Sequence, residues 1–183
     1  MTGYPLLLNL EGRRCLVFGG GKVATRKIQA LLKRGARITC VSKGFSKSLR
    51  GLAKRSGCSL ILKGVGVERK RQKGPGPFWT FRRERGRGDH PPTLVIVATS
   101  DRDFNARVSR ECRKRRILVN VVDDPELCDF TVPAVVQRGP LQIAISTDGT
   151  SPLFAKRLRE ELEKVIPPST GRLLEKLGRI RRK

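Results

Sequence analysis

The stretch Cys15-Leu-Val-Phe-Gly-Gly-Gly-Lys-Val-Ala24 decides the fold, because an apolar run leads directly into three glycines and then into an amphipathic pattern. These features are typical of the strand, tight turn and helix that open a nucleotide-binding βαβ unit. Gly19, Gly21 and Ala24 occupy the positions of a G-x-G-x-x-A fingerprint. Gly19 permits the sharp turn, Gly21 lets a phosphate approach the backbone, and Ala24 lets the helix pack closely on the strand. The stretch therefore predicts dinucleotide binding at the helix N-terminus.

Strand and helix patterns alternate from this stretch up to residue 122. The predicted strands are 14–18, 37–41, 59–62, 93–98 and 117–122, and the predicted helices are 23–34, 46–55 and 102–115. Such alternation indicates a parallel sheet with right-handed crossovers. We therefore assign residues 1–122 to an α/β fold with a Rossmann-type parallel sheet.

The pattern changes after residue 122. Two strands, 130–136 and 141–146, are joined by a hairpin-like connection at 137–140, and a polar turn at 147–152 follows them. Helices are predicted at 152–165 and 170–181, with Leu153, Leu158 and Leu162 of the first helix facing inward. We expect a short C-terminal helical region over residues 151–183.

Residues 63–92 interrupt the alternation with a stretch rich in Gly, Pro, Lys and Arg. One interpretation is a nucleic-acid contact in which Phe78, Trp79 and Phe81 stack on bases. The other is an exposed, mobile, basic crossover whose aromatic side chains pack back on the core. We favour the second interpretation.

The chain has a net charge of +24, from 40 Lys and Arg against 16 Asp and Glu. An anionic partner is expected, either nucleic acid, an acidic membrane surface or a polyanionic small molecule. Alternatively, the basic residues cover solvated surface without a specific partner. The odd number of cysteines, five, without a C-x-x-C pair indicates a reducing cytoplasm. We see no signal-peptide core and no apolar run long enough to span a bilayer, so we expect no membrane contact.

Ligands of parallel sheets bind beyond the carboxyl ends of the strands. The second strand ends in Ser42 and Lys43, where NAD-binding units carry an acid for the ribose hydroxyls. Ser42 can accept a ribose hydrogen bond and Lys43 tolerates a 2′-phosphate, so NAD and NADP both stay open. At the next junction, Thr99 and Asp101 either cap a helix or form a wall of the nucleotide pocket.

Asp123 and Asp124 follow the last strand and are the sharpest catalytic candidates. In an extended segment their side chains would point to opposite faces, so at most one would face a substrate. From spacing alone, a turn-forming Asp-Asp-Pro is the commoner interpretation. His90, the only histidine, lies in the basic crossover, so a histidine general base is not expected. No cluster has metal-ligand spacing, so no metal site is assigned.

Six motifs occur in an order that resembles the precorrin-2 dehydrogenase family, the N-terminal module of siroheme synthases. They are the segments 4–9, 17–27, 98–105, 120–125, 130–134 and 145–152. The resemblance covers residues 4–165. It implies a Rossmann domain followed by a dimerisation and substrate segment, here residues 123–150, and a small helical domain.

The resemblance implies NAD-dependent oxidation of precorrin-2, a polyanionic tetrapyrrole, to sirohydrochlorin by a homodimer in siroheme synthesis. Asp123 matches the essential carboxylate of the family. The cofactor-contact regions of the family match Gly19, Gly21, Lys22, Val23, Lys43, Gly44 and Thr99, and we add Ser42 on its own chemistry. The substrate side is assigned to Asn120, Ser146, Thr147, Gly149, Thr150 and Ser151.

Three departures from the family pattern stand out. Asp148 replaces a glycine, the crossover is unusually basic, and the helical region is short, which puts insertion of Fe²⁺ into the product in doubt. Asp tolerates a left-handed backbone better than most residues. Two alternatives remain, a nucleotide-sensing Rossmann module without turnover and a basic nucleic-acid-binding protein. A charge-only account needs neither Gly21 nor Asp123, so nucleic acid is the less favoured partner.

Overall fold

The computed structural model describes residues 3–62 and 91–181, so most of the basic crossover, with its three aromatic residues and His90, lies outside the described residues. The described residues divide into two compact units, one within Leu6–Thr131 and one made of the residues before and after it. Within the described ranges, no helix is both long and apolar enough to cross a membrane.

The first unit contains a sheet of five parallel strands in the order β3-β2-β1-β4-β5. The strands are β1 Arg14–Phe18, β2 Arg37–Ser42, β3 Ser59–Leu62, β4 Leu94–Val97 and β5 Leu118–Val121. This is the order of the first five strands of a dinucleotide-binding fold, in which the chain returns to the middle of the sheet after β3. The predicted Rossmann-type sheet is confirmed.

Helices α1 Lys22–Leu32, α2 Lys47–Ser56 and α3 Arg102–Lys114 connect these strands. Local side chains fix their ends. The Ser46 hydroxyl accepts from Leu49 N (3.2 Å) at the start of α2, and Gly57 ends that helix with φ +68°. The Asp101 carboxylate accepts from Phe104 N (2.9 Å) at the start of α3. The predicted helices are therefore present, with ends shifted by one or two residues.

The core consists of two clusters of buried side chains. In one, the rings of Phe18 and Phe104 meet edge to face with centroids 5.3 Å apart. In the other, Val17 of β1 packs with Ile28 of α1 and Leu49 of α2. All five cysteines are buried and free.

The second unit contains an antiparallel hairpin and two helices. Its elements are β6 Ala134–Arg138, β7 Leu141–Ile145, α4 Pro152–Val165 and α5 Ser169–Ile180. The predicted strand 130–136 was wrong at both ends, because β6 begins after Pro133 and continues to Arg138, which pairs with Leu141. Proline has no amide hydrogen to donate to a ladder. The connection is thus reduced to Gly139 and Pro140, with Gly139 at φ +55°.

Arg138 ties this hairpin to the end of α4. Its guanidinium donates to the carbonyl oxygens of Ile166 and Glu163, both at 2.8 Å. These carbonyls belong to the last helical turn, where no further amide follows to bond them. Gly171 of α5 lies so close to the hairpin that a Cβ there would be 2.8 Å from the Arg138 carbonyl.

The inward orientation predicted for the apolar stripe of α4 was wrong for two of its leucines. Leu153 is 59% exposed and Leu158 is 38% exposed, whereas Ala155 is the buried residue of the helix. A two-stranded hairpin covers only a narrow part of a helix surface. The apolar stripe of α4 therefore extends beyond what its own unit can bury.

We predict that alanine at Gly19 and alanine at Gly21 affect stability very differently. Gly19 has φ +117°, and a Cβ there would collide with the Ala98 carbonyl, whereas a Cβ at Gly21 meets nothing within 4 Å. Gly19→Ala should lower the free energy of unfolding by about 2–4 kcal/mol, and Gly21→Ala by less than about 1 kcal/mol. Urea unfolding of both variants measures this, and equal losses would contradict it.

Candidate active site

The glycine turn between β1 and α1 is held between the ends of two neighbouring strands. Gly19 N donates to Val41 O, and Ser46 N donates to Gly20 O, both at 2.9 Å. A Cβ on Gly20 would collide with the Gly44 carbonyl, just as one on Gly19 would meet Ala98. The first two glycines are therefore required by packing of the protein on itself.

Gly21 has a different role, because open space surrounds the position of its absent Cβ. It is the N-cap of α1, and the helix has no acid in its first turn and no side-chain cap. The Thr25 amide and hydroxyl both donate to Gly21 O, at 3.0 and 2.9 Å, which fixes the cap. The exposed residues Gly21, Lys22 and Val23 thus present backbone amides suited to a phosphate, as a dinucleotide requires.

The end of β2 lies against this turn. Ser42 is only 8% exposed, and its hydroxyl is 3.4 Å from Gly44 N. Lys43 and Gly44 are both exposed. Ser46 completes the connection, since its hydroxyl is 3.3 Å from the Thr25 hydroxyl of α1. The structure brings the predicted residues Ser42, Lys43 and Gly44 to the same edge as the glycines.

The end of β4 contributes a fixed pair of polar side chains. The Thr99 hydroxyl donates to the Asn105 side-chain oxygen (2.6 Å), and the Asn105 amide donates to Thr99 O (3.0 Å). Asp101 serves as the cap of α3, so the capping interpretation is confirmed for it. Thr99 follows Ala98, which is packed on Gly19, and so lies beside the glycine turn.

The end of β5 is a turn, as the commoner interpretation of Asp123-Asp124-Pro125 predicted, and not an extended segment. Asp123 has φ +62°, which rotates the chain sharply between the two carboxylates. Asp124 is turned toward α3, where Arg102 Nε lies 3.4 Å from the Asp124 carboxylate. The side chain of Asp124 is only 15% exposed. Asp123 is exposed. The turn-forming interpretation is confirmed. Of the two carboxylates, only that of Asp124 forms an ion pair with Arg102.

A cleft of about 710 Å³ opens at this edge, and Asp123 is part of its wall. The lining residues are Arg102, Asn105, Val122, Asp123, Asp124, Pro125 and Glu126. They come from the start of α3 and from the chain after β5, including the short 3₁₀ turn Pro125–Leu127. The cleft is therefore bounded by polar and charged groups of both signs.

Beneath Asp123, a buried thiol organises the turn. Val121 N donates to Cys128 Sγ (3.1 Å), and the thiol lies within hydrogen-bond distance of Val121 O (3.1 Å) and Asp124 O (3.3 Å). The Asn120 amide, 8% exposed, donates to Phe130 O (2.9 Å). Asn120 thus holds the segment that follows the turn, and its predicted contact with substrate stays a prediction.

Lys27 is a functional candidate to which the sequence analysis assigned no role. It is half-buried on α1, one residue before the fully buried Ile28. Burial lowers the pKa of its ammonium group, as does the neighbouring Arg26 charge, while Cys128 and Asp123 act in the opposite direction. A lysine set within the apolar stripe of an amphipathic helix was the signal available in the sequence.

In the second unit, the predicted substrate residues form a polar turn before α4. Thr150 N donates to Thr147 O (2.9 Å), Ser151 N to the Thr147 hydroxyl (3.1 Å), and the Ser151 hydroxyl caps Phe154 N (3.2 Å). Asp148 has φ +51° and Gly149 φ +83°, so the left-handed backbone expected at Asp148 is confirmed. The Asp148 amide donates to the Ser146 hydroxyl (3.2 Å). Substrate contact by this turn stays a prediction.

Within residues 3–62 and 91–181, no group of three or more His, Cys, Asp or Glu is placed to hold a metal ion. The fit at the glycine turn is to a phosphate-containing ligand, since the first turn of α1 has no acid and its residues Lys22 and Val23 are exposed.

Two family models match this chain. One, described as putative NAD(P)-binding, matches residues 6–134, and the other, described as sirohaem biosynthesis protein central, matches residues 138–164. The chain is 41% identical to a siroheme synthase of Nitrosomonas europaea and 39% identical to one of Thioalkalivibrio sulfidiphilus. These matches cover 100% and 94% of this chain but only 35% and 32% of the relatives. The chain therefore spans about a third of the length of the curated relatives that it matches.

Among solved structures, "SirC, precorrin-2 dehydrogenase" matches with a TM-score of 0.68 and 30% identity, over 94% of this chain and 76% of SirC. That agreement extends from the sheet into the second unit. On the family model, which spans most of its length, and on its match to SirC, this chain belongs to the NAD(P)-binding family that includes the precorrin-2 dehydrogenase SirC.

Proposed function

We propose that this chain oxidises precorrin-2 to sirohydrochlorin, with NAD as the hydride acceptor, in the synthesis of siroheme. The observation that carries the proposal is the exposed Asp123 carboxylate, which borders a cleft at the same sheet edge as the glycine turn. The family membership and the names of the relatives supply the substrate class.

Strand spacing supports this arrangement. β1 and β5 are separated only by β4, so their carboxyl ends are roughly 10 Å apart. A dinucleotide on such a sheet extends across the crevice at the point where the strand order reverses. Its adenosine half lies toward β2 and its nicotinamide half toward β4. Asp123 then lies one strand beyond the nicotinamide, on the side where we place the substrate that is to be oxidised.

Each group of residues has a defined task in this proposal. The amides at Gly21, Lys22 and Val23 hold the pyrophosphate, and Thr99 adjoins the nicotinamide half. NAD held by these residues would supply the acceptor for the hydride that leaves the macrocycle. Asp123 orients the macrocycle through a ring N–H or accepts a proton from it.

The substrate is a polycarboxylate, and the net charge of +24 favours its approach. We propose that Asn120 and the hydroxyl-rich turn Ser146–Ser151 contribute to its binding. Because five cysteines are all free, a reducing cytoplasm is the compartment that we propose for the protein.

The protein is also proposed to be a homodimer through its second unit. Leu173, Leu177 and Ile180 form an apolar stripe along α5, and each is at least half exposed. An exposed stripe of this kind is typical of a protein–protein interface.

We predict that Asp123→Asn abolishes turnover while NAD still binds. NADH formation from precorrin-2 should fall by at least about 100-fold, because the amide neither accepts a proton nor carries the charge that orients the macrocycle. The loss should appear in kcat/KM for precorrin-2, and calorimetry should show a Kd for NAD within about twofold of wild type.

Asp124→Asn is the matched control, since its carboxylate is occupied by Arg102. It should retain at least about a third of the turnover. Equal activity of Asp123→Asn and wild type would remove the assignment of Asp123. Folded wild-type protein that binds NAD and forms no NADH would instead favour a nucleotide sensor without turnover.

We predict that Gly21→Val prevents dinucleotide binding without unfolding the protein. The valine side chain enters the open space in front of the α1 amides, which a pyrophosphate must occupy. Calorimetry should show the Kd for NAD rising by at least about 50-fold, and Gly21→Ala should give a smaller increase. Thermal unfolding near the wild-type temperature controls for folding, and unchanged NAD affinity in folded Gly21→Val would contradict the prediction.

We predict that Leu177→Glu weakens a homodimer. The charge lies in the middle of the exposed stripe of α5, so burial in an interface becomes costly. Sedimentation should show the dimer Kd rising by at least about tenfold. Lys176→Glu, on an adjacent exposed position, should leave it within about threefold. A wild-type protein that sediments as a monomer at micromolar concentration would refute the dimer.

A further inference from the structure

Lys27 is a half-buried charge that the proposed mechanism does not use. It lies on α1 one turn from two buried residues of that helix, Ala24 and Leu31. Burial lowers the pKa of its ammonium group below the ordinary value for lysine. Folding therefore disfavours the protonated form, and the residue costs stability at neutral pH. Such a cost is typical of residues that are kept for a function.

The flank of α1 that carries Lys27 is the one away from α2. Thr25 marks the opposite flank, because its hydroxyl is 3.3 Å from that of Ser46, the N-cap of α2. Lys27 lies roughly 200° around the helix from Thr25. Helix α2 connects β2 to β3, and the strand order is β3-β2-β1-β4-β5. The flank with Lys27 is therefore directed toward β4 and β5.

The end of β5 lies on the same face of the sheet as this flank. Val122 and Phe130, before and after the Asp123 turn, pack against the same core cluster as the buried side chains of α1. Helical side chains incline toward the helix N-terminus, and α1 begins at the carboxyl edge, so the Lys27 side chain extends toward that edge. Burial has the larger effect on the pKa of Lys27, but the Cys128 thiol and the Asp123 carboxylate oppose it, which requires that both lie nearby.

The ammonium group of Lys27 is open to an anionic ligand. Among the residues that the structure describes, no carboxylate forms an ion pair with it. Arg102, in the wall of the cleft, is already paired with Asp124. The Asp123 carboxylate repels the carboxylates of a polyanionic substrate, so those groups need a cation beside it. Lys27 supplies one.

We propose that Lys27 is a substrate-binding residue, which pairs with a carboxylate of the tetrapyrrole and so orients the macrocycle over Asp123. The inference rests on the proposed function and deepens it, because it concerns the same site. It adds a second point of attachment, at the edge of the macrocycle, to the one that we assign to Asp123.

The experiment is calorimetric titration of sirohydrochlorin into the full chain, with thermal unfolding of the same samples. Lys27→Met retains a long unbranched side chain and removes its charge. The Kd for sirohydrochlorin should rise by at least about tenfold, the loss of one bond between charged groups, while the Kd for NAD stays within about twofold. The melting temperature should be at or above that of wild type, because the cost of burying the ammonium group disappears. Lys27→Arg should recover most of the lost affinity.

Lys33→Met is the matched control, since it removes the same charge from the exposed C-cap of α1. It should change the Kd for sirohydrochlorin by less than about twofold. A lower melting temperature of Lys27→Met, with its affinities for NAD and sirohydrochlorin reduced alike, would make Lys27 a structural residue and overturn the inference.

The same titrations separate the inference from the proposed function. Equal affinities of Lys27→Met and Lys33→Met for sirohydrochlorin would overturn the inference and leave the proposed function standing. If binding requires Lys27 and wild type forms no NADH from precorrin-2, only the proposed function fails. If folded wild type binds neither precorrin-2 nor sirohydrochlorin, both fail.

Discussion

The close packing of the Gly19–Gly20 backbone on the carbonyls of Ala98 and Gly44 is the constraint from which the site follows. The ends of β1, β2 and β4 approach one another so closely that neither glycine could carry a Cβ. Gly21 then forms the N-cap of α1, and a Cβ there would meet only open space. Gly19 and Gly20 are thus required by packing, whereas the backbone of Gly21 is open to a ligand.

A second constraint acts at the far end of the same edge, where the chain carries two adjacent carboxylates. The left-handed backbone at Asp123 separates them, so that Arg102 pairs with Asp124 and the Asp123 side chain stays exposed. The thiol of Cys128 bonds the backbone on both sides of this turn. One carboxylate is consequently part of the structure, and the other is accessible to a reactant. This separation is compatible with the role that we propose for Asp123.

The sequence predicted the sheet, the helices and their caps because these depend on short-range patterns, as Ser46 and Asp101 illustrate. It failed where the outcome depends on tertiary contacts. The turn at Asp123 was the commoner interpretation of Asp-Asp-Pro, but the ion pair of Asp124 with Arg102, which distinguishes the two carboxylates, could not be predicted from spacing. An amphipathic stripe indicates that a face is apolar but not what covers it, which is why Leu153 was placed inward. Lys27 was assigned no role, because a sequence pattern does not show how far a lysine is buried.

The chain has a net charge of +24, but its acidic residues are unevenly distributed along the sheet edge. The β2 side has no acid from Glu11 to the end of β3, whereas Asp123, Asp124 and Glu126 surround the cleft at β5. Oxidised NAD has a related polarity, with an anionic pyrophosphate in the middle and a cationic nicotinamide ring at one end. A carboxylate near that ring stabilises its charge and therefore favours the oxidised form over the neutral reduced one. In the function that we propose, this charge pattern favours binding of the cofactor in the oxidised state, which is the state that accepts a hydride.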